Sequence, residues 1–223
     1  MRAAEQAPPE LGVDDLLAPL GSPGATDGRG DGDDDGEDAR ALARLREGLA
    51  RRASAAGDLD VAYRDLDSPI GPLRLAASPA GIVRVAFAGE DGDAVLADLA
   101  RRVGARVLRA AAPLDPAARE LEEYFAGTRR RFDVPVDLRL AGGFRRTVLD
   151  RLRDVGYGAT ATYAELATAA GSPRAVRAVG SACALNPVPL FVPCHRVVRS
   201  DGTAGRYRGG EAAKAALLAL EAR

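Results

Sequence analysis

The stretch TYAELATAAGSPRAVRAVGSACA, Thr162 to Ala184, decides how the last third of this 223-residue chain is read. Thr162 followed three positions later by Glu165 fits a capping box, in which each side chain satisfies a backbone N–H left free at a helix start. A short helix is therefore predicted from Tyr163 to Ala170, ended by Gly171. Ser172-Pro173 then offers an N-cap and a first-turn proline for a second helix through Ala184. Two short helices joined by a tight glycine-containing turn form a helix-turn-helix pattern. The second helix carries Arg174 and Arg177 among small residues, Ala175, Ala178 and Gly180, which permit close approach to a backbone or groove. Just upstream, Phe144, Val148, Leu149 and Leu152 share one face of a helix over 144–155.

Downstream of Asn186-Pro187 comes Pro189-Leu190-Phe191-Val192-Pro193-Cys194-His195-Arg196-Val197-Val198. A buried cysteine usually acts as a small hydrophobe. Here the thiol is flanked by proline and by the only histidine of the chain. An adjacent imidazole and a basic local field favour thiolate, the nucleophilic form. Such a base needs an orienting partner, and a carboxylate from elsewhere, such as Glu211 or Glu221, is the candidate class.

Working back toward the start, 61–138 reads as a small α+β region. Val61–Leu66, Gly71–Ala77 and Gly81–Ala88 are short apolar segments separated by Ser68-Pro69 and Ser78-Pro79, which predicts an antiparallel meander. Helices are predicted over 91–103 and 115–126, with a further strand at 105–109. Residues 131–138 read as extended, and Pro135 marks a sheet edge. Residues 39–60 read as a loosely attached helix and linker, with Leu42, Leu45 and Leu49 at helical spacing. Residues 1–38 are acidic and rich in Pro and Gly, too poor in apolar surface to offset the entropy of ordering, so a disordered tail is expected.

The formal net charge of −1 conceals an asymmetry. Residues 1–60 hold 7 basic and 14 acidic residues, 61–140 hold 12 of each, and 141–223 hold 12 and 6. A basic last third suggests a polyanionic partner. No apolar run approaches the ~20 residues that span a bilayer, so no membrane role is expected. Two cysteines and one histidine provide neither a disulfide framework nor a four-ligand zinc site, so no metal or cofactor is expected. The acidic start lacks the basic and then apolar pattern of a secretory signal, and a reducing cytoplasm is the expected compartment.

Pro193-Cys194-His195-Arg196-Val197 resembles the active-site signature of the O6-alkylguanine-DNA alkyltransferases. The likeness extends to Thr162–Ala167, to Arg177–Gly180 with Asn186-Pro187, to the loop Gly205–Gly210 and to Lys214–Glu221. It is dense over 144–221, thinner over 61–138 and absent before residue 60.

The resemblance implies an α+β fold, with a ribonuclease H-like antiparallel-sheet domain over 61–138. A helix-turn-helix, winged-helix-like DNA-binding and catalytic domain follows over 141–223. It implies irreversible, stoichiometric transfer of the alkyl group from O6-alkylguanine in DNA to Cys194, with O4-alkylthymine a further candidate substrate. His195 would act as base through a water, oriented by Glu221. Tyr163 would protonate or hydrogen-bond N3 of the leaving guanine. Asn186 would hold the hinge, and Pro189, Val197, Tyr207 and Arg208 would line the pocket, with the Val197 backbone and the Arg208 loop reading the base edges. Arg177, Ala175, Ala178 and Gly180 would meet duplex DNA in the minor groove, with Arg177 filling the gap of a flipped nucleotide. The protein would act as a monomer. Three other readings compete. A non-catalytic lesion-binding relative typically carries Trp in place of Cys194. A Cys-His hydrolase would turn over. A helix-turn-helix regulator leaves Pro193–Val197 unexplained.

Overall fold

The computed structural model describes residues 34–223. Helix α1 spans Asp34–Ala55 and so begins inside the stretch expected to be a tail, while the expectation for 1–33 lies outside the described residues. Residues 41–223 form one packed unit. Within that unit α1 buries Ala50 and leaves Leu42, Leu45 and Leu49 exposed.

Strands β1 (Val61–Leu66), β2 (Leu73–Ser78) and β3 (Gly81–Phe87) form the predicted meander, with Ala62 opposite Ala77 and Leu75 opposite Val85. Helix α2 (Gly92–Arg102) is capped by Asp91, whose side chain accepts from the backbone N–H groups of Asp93 and Ala94. Strand β4 (Val107–Arg109) then pairs parallel to β1, giving the order β3-β2-β1-β4. The sheet is thus mixed rather than wholly antiparallel. A helix, not a hairpin, joins β3 to β4, and such a crossover returns the chain in its original direction. Residues around Pro135 run along the outer edge of β3, where Ile82 N donates to Pro135 O at 2.9 Å and Asp137 N to Ile82 O at 2.8 Å. Proline is tolerated there because the edge asks only for its carbonyl.

Helix α3 (Asp115–Phe125) packs Leu121 and Tyr124 inward. Helix α4 (Gly143–Leu152) buries Val148, Leu149 and Leu152, as the spacing predicts. Strand β5 (Ala161–Thr162) leads into α5 (Tyr163–Ala169), whose capping box is complete: Glu165 N donates to Thr162 Oγ1 and Thr162 N to Glu165 Oε2. Helix α6 covers Val176–Ala184 and starts later than predicted, because Ser172 is not its N-cap. Gly171 takes φ +74°, with its N–H on Thr168 O and that of Ser172 on Ala167 O. This Schellman pattern commits Ser172 to ending α5. A turn closed by Ala175 N on Ser172 O follows, leaving Arg174 before the helix and Ala175 at its cap.

A 3-10 turn at Cys194–Arg196 runs into β6 (Val197–Val198), which pairs parallel to β5. Helix α7 (Glu211–Glu221) closes the fold. One continuous core holds Leu75, Val85 and Leu121 together with Val148, Leu149 and Leu217, so the segments 61–138 and 141–223 share their interior. No described helix is long and apolar enough to cross a membrane.

Candidate active site

The segment from Asn186 to Val198 is buried throughout and owes its path to one side chain. Asn186 Oδ1 accepts from Val188 N at 3.1 Å, and Nδ2 donates to Val192 O at 2.8 Å and to Cys194 Sγ at 3.1 Å. Pro189 forms a bridge with Val192 across the bend. Leu190 is 1 % exposed and adopts φ +75°, the single non-glycine residue in the left-handed region among those described. A branched side chain there costs on the order of 1–3 kcal/mol, sustained by the packing around it.

Cys194 and His195 are side by side on the 3-10 turn, and Glu221 arrives from the end of α7. His195 Nε2 lies 2.9 Å from Glu221 Oε1, with both side chains almost fully buried. Burial is the largest influence on Glu221 and raises its pKa. Hydrogen bonds from His195, Arg196 and Tyr124 outweigh it and hold the carboxyl well below the usual range. An ionised Glu221 only accepts, so Nε2 carries the proton. Burial, opposed by Glu221, holds the His195 pKa below its ordinary value, so the ring is neutral near pH 7 and Nδ1 presents a lone pair. That nitrogen is buried and has no partner among the described residues. Glu211, the other candidate carboxylate, sits exposed on the first turn of α7.

The resting nucleophile differs from expectation. Burial pushes the Cys194 thiol up, and the Asn186 hydrogen bond and the Lys214 charge only partly offset this. The thiol is protonated at rest, and a base must remove the proton in the reaction.

Tyr163 is half-buried at the start of α5, and burial, with Cys183 and Cys194 nearby, keeps its phenol protonated as a donor. Gly205 crosses its hydroxyl so closely that any Cβ there would collide with it. Tyr207 stands edge-on to His195 with centroids 6.3 Å apart, and its buried hydroxyl is unpartnered among the described residues. The Arg208 side chain is not free to read a base edge: it donates to Glu90 at 3.0 Å and to Ala184 O at 3.2 Å. The Val197 carbonyl already accepts from Lys214 Nζ at 2.6 Å. On α6, Arg177 and Ala178 are exposed and Gly180 is half-buried, as is Ala175 at its cap, and open space lies where a Gly180 Cβ would be.

Four contributors escaped the sequence reading. Arg196 grips Glu221 with Nε and Nη2, each at 2.9 Å, and Val155 O with Nη1 at 2.6 Å. Tyr124 Oη donates to Glu221 Oε1 at 2.6 Å from a helix 97 positions earlier, and no local pattern announces that. Gly158 N donates to Glu221 Oε2 at 3.2 Å. Lys214 is fully buried and did leave a signal, as a lone lysine three and seven positions before Leu217 and Glu221 on the inward face of α7.

A buried thiol next to a carboxylate-oriented imidazole, on a fold with an exposed helix-turn-helix, marks a protein built for cysteine chemistry. Family models identify it further. The ribonuclease-like domain of 6-O-methylguanine DNA methyltransferase matches residues 61–138, and the DNA-binding domain of the same family matches 143–223. The methylated-DNA–protein-cysteine methyltransferase of Mycobacterium tuberculosis H37Rv is 38% identical over 159 residues, covering 71% of this chain and 91% of that protein. The constitutive enzyme of Bacillus subtilis is 36% identical over 160 residues, covering 71% and 94%. A crystal structure of M. tuberculosis OGT in complex with DNA superposes with a TM-score of 0.62 at 36% identity, over 72% of this chain and 92% of that one. The chain belongs to the 6-O-methylguanine DNA methyltransferase family.

Proposed function

We propose that this protein repairs DNA by direct reversal, moving the alkyl group of O6-alkylguanine onto Cys194 once per molecule. The observation that carries this reading is the buried pair of His195 and Glu221. It leaves Nδ1 of a neutral imidazole as the unpartnered base beside the cysteine. Nδ1 takes the thiol proton, through one water. The sulfur then attacks the alkyl carbon, an S–C bond forms as the C–O6 bond breaks, and the electron pair leaves on guanine. Tyr163 stabilises that anion by donating to N3. The product thioether is chemically inert, so the alkyl group stays on Cys194.

The base must leave the stack before a buried sulfur can reach it, at a cost of a few kcal/mol. Arg177, exposed on the first turn of α6, is suited to occupy the gap, with Ala178 and Gly180 allowing approach from the minor groove. The solved complex of a relative with DNA and the basic last third support DNA as the partner. The monomeric state and cytoplasmic location belong to the same reading.

An excess of duplex oligonucleotide carrying labelled O6-methylguanine provides the test. Transfer that stops at one equivalent per protein is expected. Continuing release of methyl groups would establish a hydrolase, and binding without transfer a lesion-recognition module.

A further inference from the structure

Three parts of the proposed site converge on a turn that carries none of the chemistry. Glu90 lies just after β3. Its Oε1 accepts from Phe87 N at 3.0 Å and closes the turn locally. Its Oε2 does something the turn does not require, accepting from both Arg84 and Arg208 Nη1, the latter at 3.0 Å.

Each arginine leads to the site. Arg84 is mostly buried, and its Nη1 reaches Pro187 O at 3.4 Å, while Val85 N donates to the same carbonyl at 2.8 Å. The edge of β3 thus grips the Asn186-Pro187 hinge. Arg208 ties Glu90 to Ala184 O, the C-terminal end of α6. The loop it belongs to packs closely on the same turn. Phe87 meets Tyr207 edge-on at 5.5 Å, and a Cβ on Gly209 would stand 2.7 Å from the Phe87 ring. On its other side that loop touches Tyr163 through Gly205 and faces His195 through Tyr207.

We propose that Glu90 is a positioning residue for alkyl transfer. Its carboxylate holds the Gly205–Gly210 loop against the pocket through Arg208 and steadies the hinge through Arg84. This rests on the reading of the site given above. Glu90 touches neither the cysteine nor the base, so it acts on the fraction of molecules whose loop is in place. A ligand's apparent dissociation constant is its intrinsic value divided by the competent fraction. Loss of Glu90 therefore weakens binding of the free base and spares the limiting rate once the base is bound.

The experiment uses the full chain and free O6-benzylguanine, which needs no extrusion from DNA. Loss of active protein is followed against concentration for the wild type, Glu90→Gln, Arg208→Gln and the double variant, yielding a saturation constant and a limiting rate constant. Arg208→Gln leaves Glu90 paired with Arg84 and Phe87 N, so the β3 turn survives and the test stands even if Glu90→Gln folds poorly. Expected in each single variant is a saturation constant raised about five- to twentyfold with the limiting rate within about twofold. The double variant should bind no more than about twofold more weakly than the weaker-binding single, because each single already removes the shared Glu90–Arg208 contact. A folded variant with an unchanged saturation constant overturns the inference. So does a loss confined to the limiting rate, or one that adds across the two positions. A wild type that takes up no alkyl group overturns the reading of the site itself, a result separable from the others.

Discussion

At Cys194 two influences oppose one another: burial raises the thiol pKa, while Asn186 and Lys214 favour the anion. Burial prevails, so the protein stores an unreactive thiol and depends on His195 to release it. Cys194→Ser should abolish transfer and keep DNA affinity, since an alcohol yields far less anion than a thiol under the same base. Cys183→Ser should transfer at close to the wild-type rate, because burial pushes that thiol up to about 12 and no base is held against it. Single-turnover rates check both, and near-wild-type methyl transfer by the serine variant at 194 would refute the assignment. The same groups shape stability. His195 has its pKa lowered, so below about 6.5 the unfolded chain takes up a proton that the folded chain refuses, and stability is lost as pH falls. Glu221 extends the loss below about 4.3, where its unfolded carboxyl protonates first. The buried thiols set the other side, because above about 8.5 the unfolded thiols ionise before the folded ones. Thermal melts should therefore peak near neutral pH, and His195→Gln should flatten the decline between about pH 6.5 and 5. An equally steep decline in that variant would remove His195 as its cause.

Helices α5 and α6, on which the proposed contact with DNA rests, show at their ends what local sequence reveals. The capping box at Thr162 and the stop at Gly171 were legible because each is decided within a few residues. The start of α6 was misread because Ser172-Pro173 suits a helix start equally well, and only the bonds ending α5 show that Ser172 is taken. Strand β4 was placed correctly, but its direction depends on the crossover through α2. The contacts of Tyr124 and Glu90 were not legible at all, since they join residues 97 and 118 positions apart. Arg177 and Arg174 differ accordingly: one projects from α6, the other sits in the turn before it. Arg177→Ala should slow repair of duplex DNA more than reaction with free alkylguanine, because only the duplex pays for extrusion. Arg174→Ala should act through phosphate contact, lowering the magnitude of the log–log salt slope by about 0.9 if it makes one. Equal slowing of both substrates by Arg177→Ala would assign that residue to folding or the pocket.

Across the whole molecule, the region 61–138 behaves as a scaffold for the chemistry of 141–223. It supplies Tyr124 to Glu221, Glu90 to Arg208, and the β3 edge to the hinge, all within one shared core. The charge is divided along the same chain, with six more basic than acidic residues in 141–223 and seven more acidic than basic in 1–60. Removing residues 1–33 should leave the rate of alkyl transfer unchanged and slightly tighten non-specific DNA binding, because the segment repels phosphate. Loss of repair in a truncated protein that still melts cooperatively would show that the segment has a part in the reaction. On the proposed mechanism Cys194 accepts one alkyl group and keeps it. The most direct test is the intact mass of the protein after exposure to excess O6-methylguanine duplex, followed by mapping of the modified peptide. A single added methyl group, complete at saturation, is expected on the peptide that contains Cys194. An unmodified protein, a second methyl group, or a methyl on Cys183 would contradict it.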